Sequence, residues 1–282
     1  VFFAFLGAAS NATGTVLQRK AALAVPPEDA LRPRLLMDMV RQPVWLLGIC
    51  GVAGAALFQA LALITGPLAL AQPVFILELP LALLISLPVL RRSLPRSGWI
   101  AVGFIVAGLA FALACAAPSG GAKQASLARW IPAVTLCAGA TLFAVAAARP
   151  RPSGAFRAAL LGSAAAVANA LTAALLKSSA DTFSMNGFHA FLTAWQTYGF
   201  ALMGILAVFL LENALQAGPI AASQPALTLG DAVVSLALGV TVYGEHVRTG
   251  WWLLPELAAI GLIVGGTVYL SRAVPLTREL AT

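Results

Sequence analysis

Nine long stretches with almost no charged position alternate along the chain with short stretches that hold nearly all the charge. Six of the long runs are free of charge: Val1 to Gln18, Pro43 to Thr65, Gly98 to Ala117, Trp130 to Ala148, Ala158 to Leu176 and Ala190 to Leu211. Three more carry one acid each: Pro67 to Leu90 with Glu78, Pro219 to Tyr243 with Asp231, and Trp251 to Leu270 with Glu256. Each run is close to the roughly 20 residues that a helix rising about 1.5 Å per residue needs to cross a bilayer. Period-two alternation is missing and several runs are apolar on every face, so helices rather than barrel strands satisfy the backbone in lipid. The pattern predicts an all-α polytopic membrane protein of about nine transmembrane helices. The first run reads as a span and not as a cleaved signal, because no cleavage site comes after it, and the natural chain is expected to begin upstream of Val1.

Composition agrees with this picture and closes off others. Of 282 residues, 60% are hydrophobic and 10% charged, against about 25% charged in a soluble domain. The net charge of +7 would suit nucleic acid, but the placement of the basic residues decides otherwise. Thirteen of them fall on one set of alternate connections: Arg19, Lys20, Arg32, Arg34 and Arg41; Arg91, Arg92 and Arg96; Arg149, Arg151 and Arg157; Arg272 and Arg278. The other set holds four, Lys123, Arg129, Lys177 and Arg248. By the positive-inside rule this asymmetry places the amino end outside and the carboxyl end in the cytoplasm, with the plasma membrane as the expected location. The expected partners are the lipid bilayer and a small-molecule or ion substrate, with no nucleic acid, and a homodimer is left open. Cys50, Cys115 and Cys137 are odd in number and lie in apolar runs, so they read as packing residues. His189 and His246 are isolated near span ends. No metalloprotease helix, nucleophile elbow, phosphate-cradling glycine loop or dinucleotide fingerprint is present, so neither an enzyme nor a cofactor is expected, and any metal is left undetermined.

The chain repeats itself. Gly66-Pro67-Leu68-Ala69-Leu70-Ala71-Gln72-Pro73 returns 152 residues later as Gly218-Pro219-Ile220-Ala221-Ala222-Ser223-Gln224-Pro225. At the same spacing Arg96-Ser97-Gly98-Trp99 returns as Arg248-Thr249-Gly250-Trp251. A weaker match relates Asn11 and Arg19 to Asn169 and Lys177 at a spacing of 158 residues. The first span then pairs with the sixth, and the second to fourth pair with the seventh to ninth. The expected organisation is one membrane domain in three parts: a repeat over 1–117, a connector with the unpaired fifth helix over 118–153, and a second repeat over 154–282. Five crossings separate partners, so the copies are inverted, as in many secondary transporters whose substrates bind near the midplane.

In these residues the four-helix unit resembles the drug/metabolite transporter superfamily of EamA-like proteins: the Asn11-to-Lys20 stretch of the first helix, the proline-punctuated third and the Gly98-Trp99 start of the fourth. The nine spans and the motif from Gln59 through Pro73 are most similar to its nine-helix NIPA-like branch. The resemblance implies alternating-access transport of a small solute or metabolite, with proton coupling left open, or a NIPA-like magnesium or cation pathway. The acid of that branch's glycine-glutamate pair falls here on Ala56, with Gln59 in place of a nearby asparagine, and this loss counts against magnesium, which prefers carboxylate oxygen. A non-transporting membrane scaffold is the reading from a different class.

Within the repeat, Pro67 and Pro219 suit helix starts. Pro73 and Pro225 lie deeper, where each frees the carbonyl four residues back, at Ala69 and Ala221, and kinks the helix. Gln72 and Gln224 beside them either complete a substrate site or bridge helices. Glu78 and Asp231 fall near the middles of equivalent spans, where a charge costs most; they are either functional or protonated carboxyls bonded to a neighbouring helix. Asp231 comes seven residues after Gln224, about two turns, and shares its face, whereas Glu78 is turned away from Gln72. Asn11, Asn169, Gln59 and the polar aromatic patch of Trp195, Gln196 and Tyr198 are further candidates for the cavity. Glu212, Glu245 and Arg248 read as boundary residues, and Gly48, Gly51, Gly54, Gly261 and Gly265 as points of close helix approach. Single cysteines at Ser93 and Ser119, in a background lacking the native three, should label from opposite faces of the membrane; labelling from one face would remove the inverted topology.

Overall fold

A computed structural model describes residues 1–23, 42–89, 96–218, 220–248 and 250–273. Their regular structure is helical: α1 Phe2–Leu23, α2 Pro43–Thr65, α3 Leu68–Val74, α4 Glu78–Val89, α5 Arg96–Ala116, α6 Leu127–Ala148, α7 Ala155–Thr193, α8 Trp195–Ala217, α9 Ile220–Thr241 and α10 Leu253–Ala273. A 3-10 turn, Phe75–Leu77, joins α3 to α4, and another, Gly250–Trp252, leads into α10. Among the described residues five helical stretches are long and apolar enough to cross a membrane: α2, α3 with α4, α5, α6 and α7. Four shorter apolar stretches lie in α1, α8, α9 and α10. Helices α6 and α8 expose Leu136, Leu142, Phe143, Leu202, Ile205 and Phe209. So much bare apolar side chain suits lipid and not water. The chain is an integral membrane protein in contact with the bilayer.

The described chain forms two compact units, one of 1–62 with 74–94 and one of 63–73 with 95–282. In the first, α1 packs against α4, and it meets α2 backbone to backbone: a Cβ on Gly14 would lie 2.8 Å from Gly48 O, and one on Gly51 2.9 Å from Gly14 Cα. The hydroxyl of Ser10 donates to Gly51 O at 2.8 Å in the same seam. In the second unit α7 is the central element, packed by α6, α8 and α9, while α5 pairs with α10. Its core is largely alanine, with Ala164, Ala165, Ala168, Ala144 and Ala207 around Leu210. Small side chains let helices approach until van der Waals packing holds them, which matters where lipid offers no hydrophobic drive for association.

Three elements differ from the sequence expectation. Helix α7 does not end at Leu176 but runs 39 residues, because Lys177, Ser178 and Asp181 are buried against protein and do not reach for water. It breaks only at Gly187, whose φ of 79° lies in the region that glycine alone enters freely. The next helix accordingly starts at Trp195 and not near Ala190. The third span, Leu68–Val89, is one apolar helical stretch that changes from α to 3-10 geometry over Phe75–Leu77, just after Pro73, while α9 continues as α-helix through Pro225. Third, no described atom lies within 4 Å of a Cβ built on Gly261 or Gly265, so these glycines face open space; the close approach is at Gly266, against Ile105 Cγ1 at 2.9 Å and Ala101 O at 3.0 Å. Gly266→Val should therefore overpack the α5–α10 seam, cost about 1–3 kcal/mol and lower the melting temperature in detergent. Gly265→Val should leave it nearly unchanged.

Candidate functional site

Two polar clusters lie in the second unit, one above the other along the same helices. The first is built on the turn between α2 and α3. A helix end leaves its last carbonyls and first amides without partners, and here both sets are met by charged side chains from far along the chain. Lys177 Nζ donates to Leu63 O at 2.8 Å and to Gly66 O at 2.7 Å, closing the end of α2. Glu245 accepts from Leu68 N at 2.5 Å and from Ala69 N at 2.8 Å, the first two amides of α3. A cation at a helix C-terminus and an anion at an N-terminus each oppose the local dipole charge. The two side chains are 4.0 Å apart and almost wholly buried.

This cluster is braced on every side. The Lys177 ammonium lies 5.3 Å from the centre of the Tyr243 ring, and the Tyr243 hydroxyl donates to Ala174 O at 2.5 Å. Trp130 meets Tyr243 and Trp195 edge to face, at 6.1 and 5.4 Å. Gln124 donates to Thr182 Oγ1 at 2.9 Å and to Ser178 O at 3.2 Å, tying the loop before α6 to α7. Ser119 and His246 form an antiparallel bridge that joins the same loop to the one carrying Glu245. Burial pushes the Glu245 carboxyl above its ordinary value, while the Ala69 and Leu68 amides and the Lys177 charge draw it back.

The second cluster lies one helical turn further along α3. Gln72 Nε2 donates to Asp231 Oδ2 at 3.3 Å, and Asn169 and Ser235 lie against the same carboxyl. Three helices converge on this point: α3 brings Gln72, α7 brings Asn169, and α9 brings Asp231 and Ser235. Helices α7 and α9 come close enough for this because Gly230, beside Asp231, leaves room for Ala166, and Gly162 for the backbone of Ser223. The donors do not fill the site. Asp231 Oδ1, Gln72 Oε1, Ser235 Oγ and Ser223 Oγ are buried without a hydrogen-bond partner among the described residues. Unpaired buried polar atoms are costly, and this group can take a proton or the donors of a small solute.

The structure thus brings together Gln72, Asn169 and Asp231. It places the other sequence candidates elsewhere. In the first unit Asn11 hydrogen-bonds Glu78, which follows the 3-10 turn Phe75–Leu77 as the first residue of α4. Gln59 is half-buried in α2, and Ala56, where the resemblance expects an acid, is exposed. Gln196 is the second residue of α8, next to Trp195. The Gln224 side chain is outside the described residues, although its backbone is part of α9.

Sequence reasoning alone misses Lys177 and Glu245, counting one toward membrane orientation and setting the other at a boundary. One signal for them exists: Lys177 aligns with Arg19 in the repeat, and a cation kept in both copies points to a structural partner. Comparison with known proteins finds a relative of nearly the same length. The chain is 28% identical over 278 residues to an uncharacterized protein of Corynebacterium glutamicum, covering 96% of this chain and 94% of that one. No family model matches the chain, and no solved structure does.

Because the pair is buried, losing one partner strands the other. Lys177→Met should cost about 3–5 kcal/mol and lower the melting temperature in detergent, and adding Glu245→Gln to it should cost far less than Glu245→Gln alone. Additive losses would mean that the two charges act independently.

Proposed function

We propose that this protein is a carrier of the drug/metabolite transporter type, which moves a small solute through the plasma membrane by alternating access, with its amino end outside and its carboxyl end in the cytoplasm. The observation that carries the reading is the convergence of Gln72, Asn169 and Asp231 from three helices on a buried point with vacant hydrogen-bonding atoms. A scaffold has no use for an intramembrane carboxyl left half-bonded, because such a group is costly to insert and is generally kept for ion or substrate movement. Helix α3 carries the first copy of the repeated motif and α9 the second, and inverted-repeat carriers place their sites between the two repeats.

Asp231 is assigned the coupling role. A carboxyl that takes up a proton when enclosed and releases it when wetted links proton movement to the conformational change. Its vacant Oδ1 is the atom to be protonated, and Gln72 Nε2 on Oδ2 holds the group in place. Glu78, bonded to Asn11 at a helix start, is assigned a structural part.

In proteoliposomes containing the purified protein, a screen across solute classes should find flux absent from empty vesicles. Asp231→Asn should abolish uptake driven by a pH gradient while preserving solute exchange, since the amide keeps shape and some hydrogen bonding but cannot titrate. Glu78→Gln should retain driven uptake. Retained driven uptake in Asp231→Asn would return this carboxyl to a structural role, and flux that depends on divalent metal would favour the NIPA-like cation reading.

A further inference from the structure

The two clusters share a common plan. Each has a carboxylate supplied by α9 or the loop after it, a donor from α3 and a donor from α7. In the lower tier these are Asp231, Gln72 and Asn169; in the upper tier they are Glu245, the amides of Leu68 and Ala69, and Lys177. The tiers are close. Leu68 and Gln72 are one turn apart on α3, and Asp231, Ser235 and Gly239 climb one face of α9 in steps of four residues. At the top of that face, a Cβ on Gly239 would overlap Glu245 Oε2, so the glycine provides the space in which the upper carboxylate sits. The first turn of α3 is therefore held by Glu245 at its start and by Asp231 of α9 one turn later.

The upper tier is ionic, with a cation and a carboxylate on the α2–α3 turn, whereas the lower one sets a single carboxyl among neutral side chains. Ser235 is fully buried on α9 between Asp231 and Gly239, and its side chain lies against the Asp231 carboxyl. We propose that Lys177 and Glu245 are positioning residues that close the Asp231 site at this end: they hold α3 so that Gln72 reaches Asp231, and water gains access from this end only when their bonds to the α2–α3 turn are released. The inference rests on Asp231 being the working carboxyl. The pair is suited to the task because its contacts are few and directional and fall on the turn from which α3 starts.

The test is side-specific access to the strip between the tiers. Ser235→Cys is introduced into full-length protein in which Cys50, Cys115 and Cys137 are replaced by alanine, and reconstituted vesicles are exposed on either face to a small membrane-impermeant methanethiosulfonate. A second protein with Ser119→Cys, exposed at the same end of the helices, marks the face. With Lys177 and Glu245 intact, the cysteine at 235 should label slowly from the Ser119 face. Lys177→Gln and Glu245→Gln should each raise that rate roughly ten-fold or more, since removing one partner of a buried pair is strongly unfavourable, and leave the rate from the opposite face unchanged. Lys177→Arg, which keeps the cation at the carbonyls, should restore most of the protection, as no unfolded variant would. No rise in either glutamine variant, or an equal rise from both faces, overturns the closure. The labelling requires no transport, so its failure is distinct from the failure of Asp231→Asn in the uptake assay.

Discussion

A turn between two helices in an apolar surround leaves up to four carbonyls and four amides to be satisfied without water. The turn at Gly66 and Pro67 is the point on which the second unit depends. Pro67 has no amide to satisfy, and its own carbonyl accepts from Leu70 N and Ala71 N. Leu63 O and Gly66 O are met by one ammonium, and the Leu68 and Ala69 amides by one carboxylate, brought from residues more than a hundred positions away. Lys177 and Glu245 are costly to bury. Each offsets part of that cost by making charge-assisted bonds to helix-end backbone, and by lying near the other.

This turn sets the position of α3, and through it the position of Gln72. The short helix α3 buries Leu68, Ala69, Ala71 and Val74. Held at its first amides by Glu245, it presents Gln72 to Asp231 one turn later. The route runs from the capping of a turn, to the placement of a short helix, to the geometry of the vacant polar cluster. Alanine and glycine on α7 and α9 do the rest, by letting the helices that carry Asn169 and Asp231 come within reach of the same point.

The two membrane acids related by the repeat have diverged in setting. Glu78 follows the 3-10 turn Phe75–Leu77, its own amide bonded to Phe75 O, and its carboxyl is met by the Asn11 side chain. Asp231 lies within an unbroken helix, so its own backbone offers it no amide and it relies on side chains from α3 and α7. Sequence alone treats the two as near counterparts one residue out of register; the difference between them lies in which side chains surround each carboxyl.

The membrane class, the helical elements and most span limits were legible in the sequence because they depend on local quantities: apolar run length, the rise of a helix, and the cost of a charge in lipid. Gln72, Asn169 and Asp231 were legible too, as rare polar residues in apolar runs with repeat partners. The length of α7, the 3-10 turn before Glu78 and the change from Gly265 to Gly266 as the packed position were not, since each depends on which helix lies alongside. Least legible were Lys177 and Glu245. From sequence, a charge at the end of an apolar run is expected to turn to water; whether it turns inward depends on an unsatisfied backbone group within its reach, and only the tertiary structure decides where a turn more than a hundred residues away will lie.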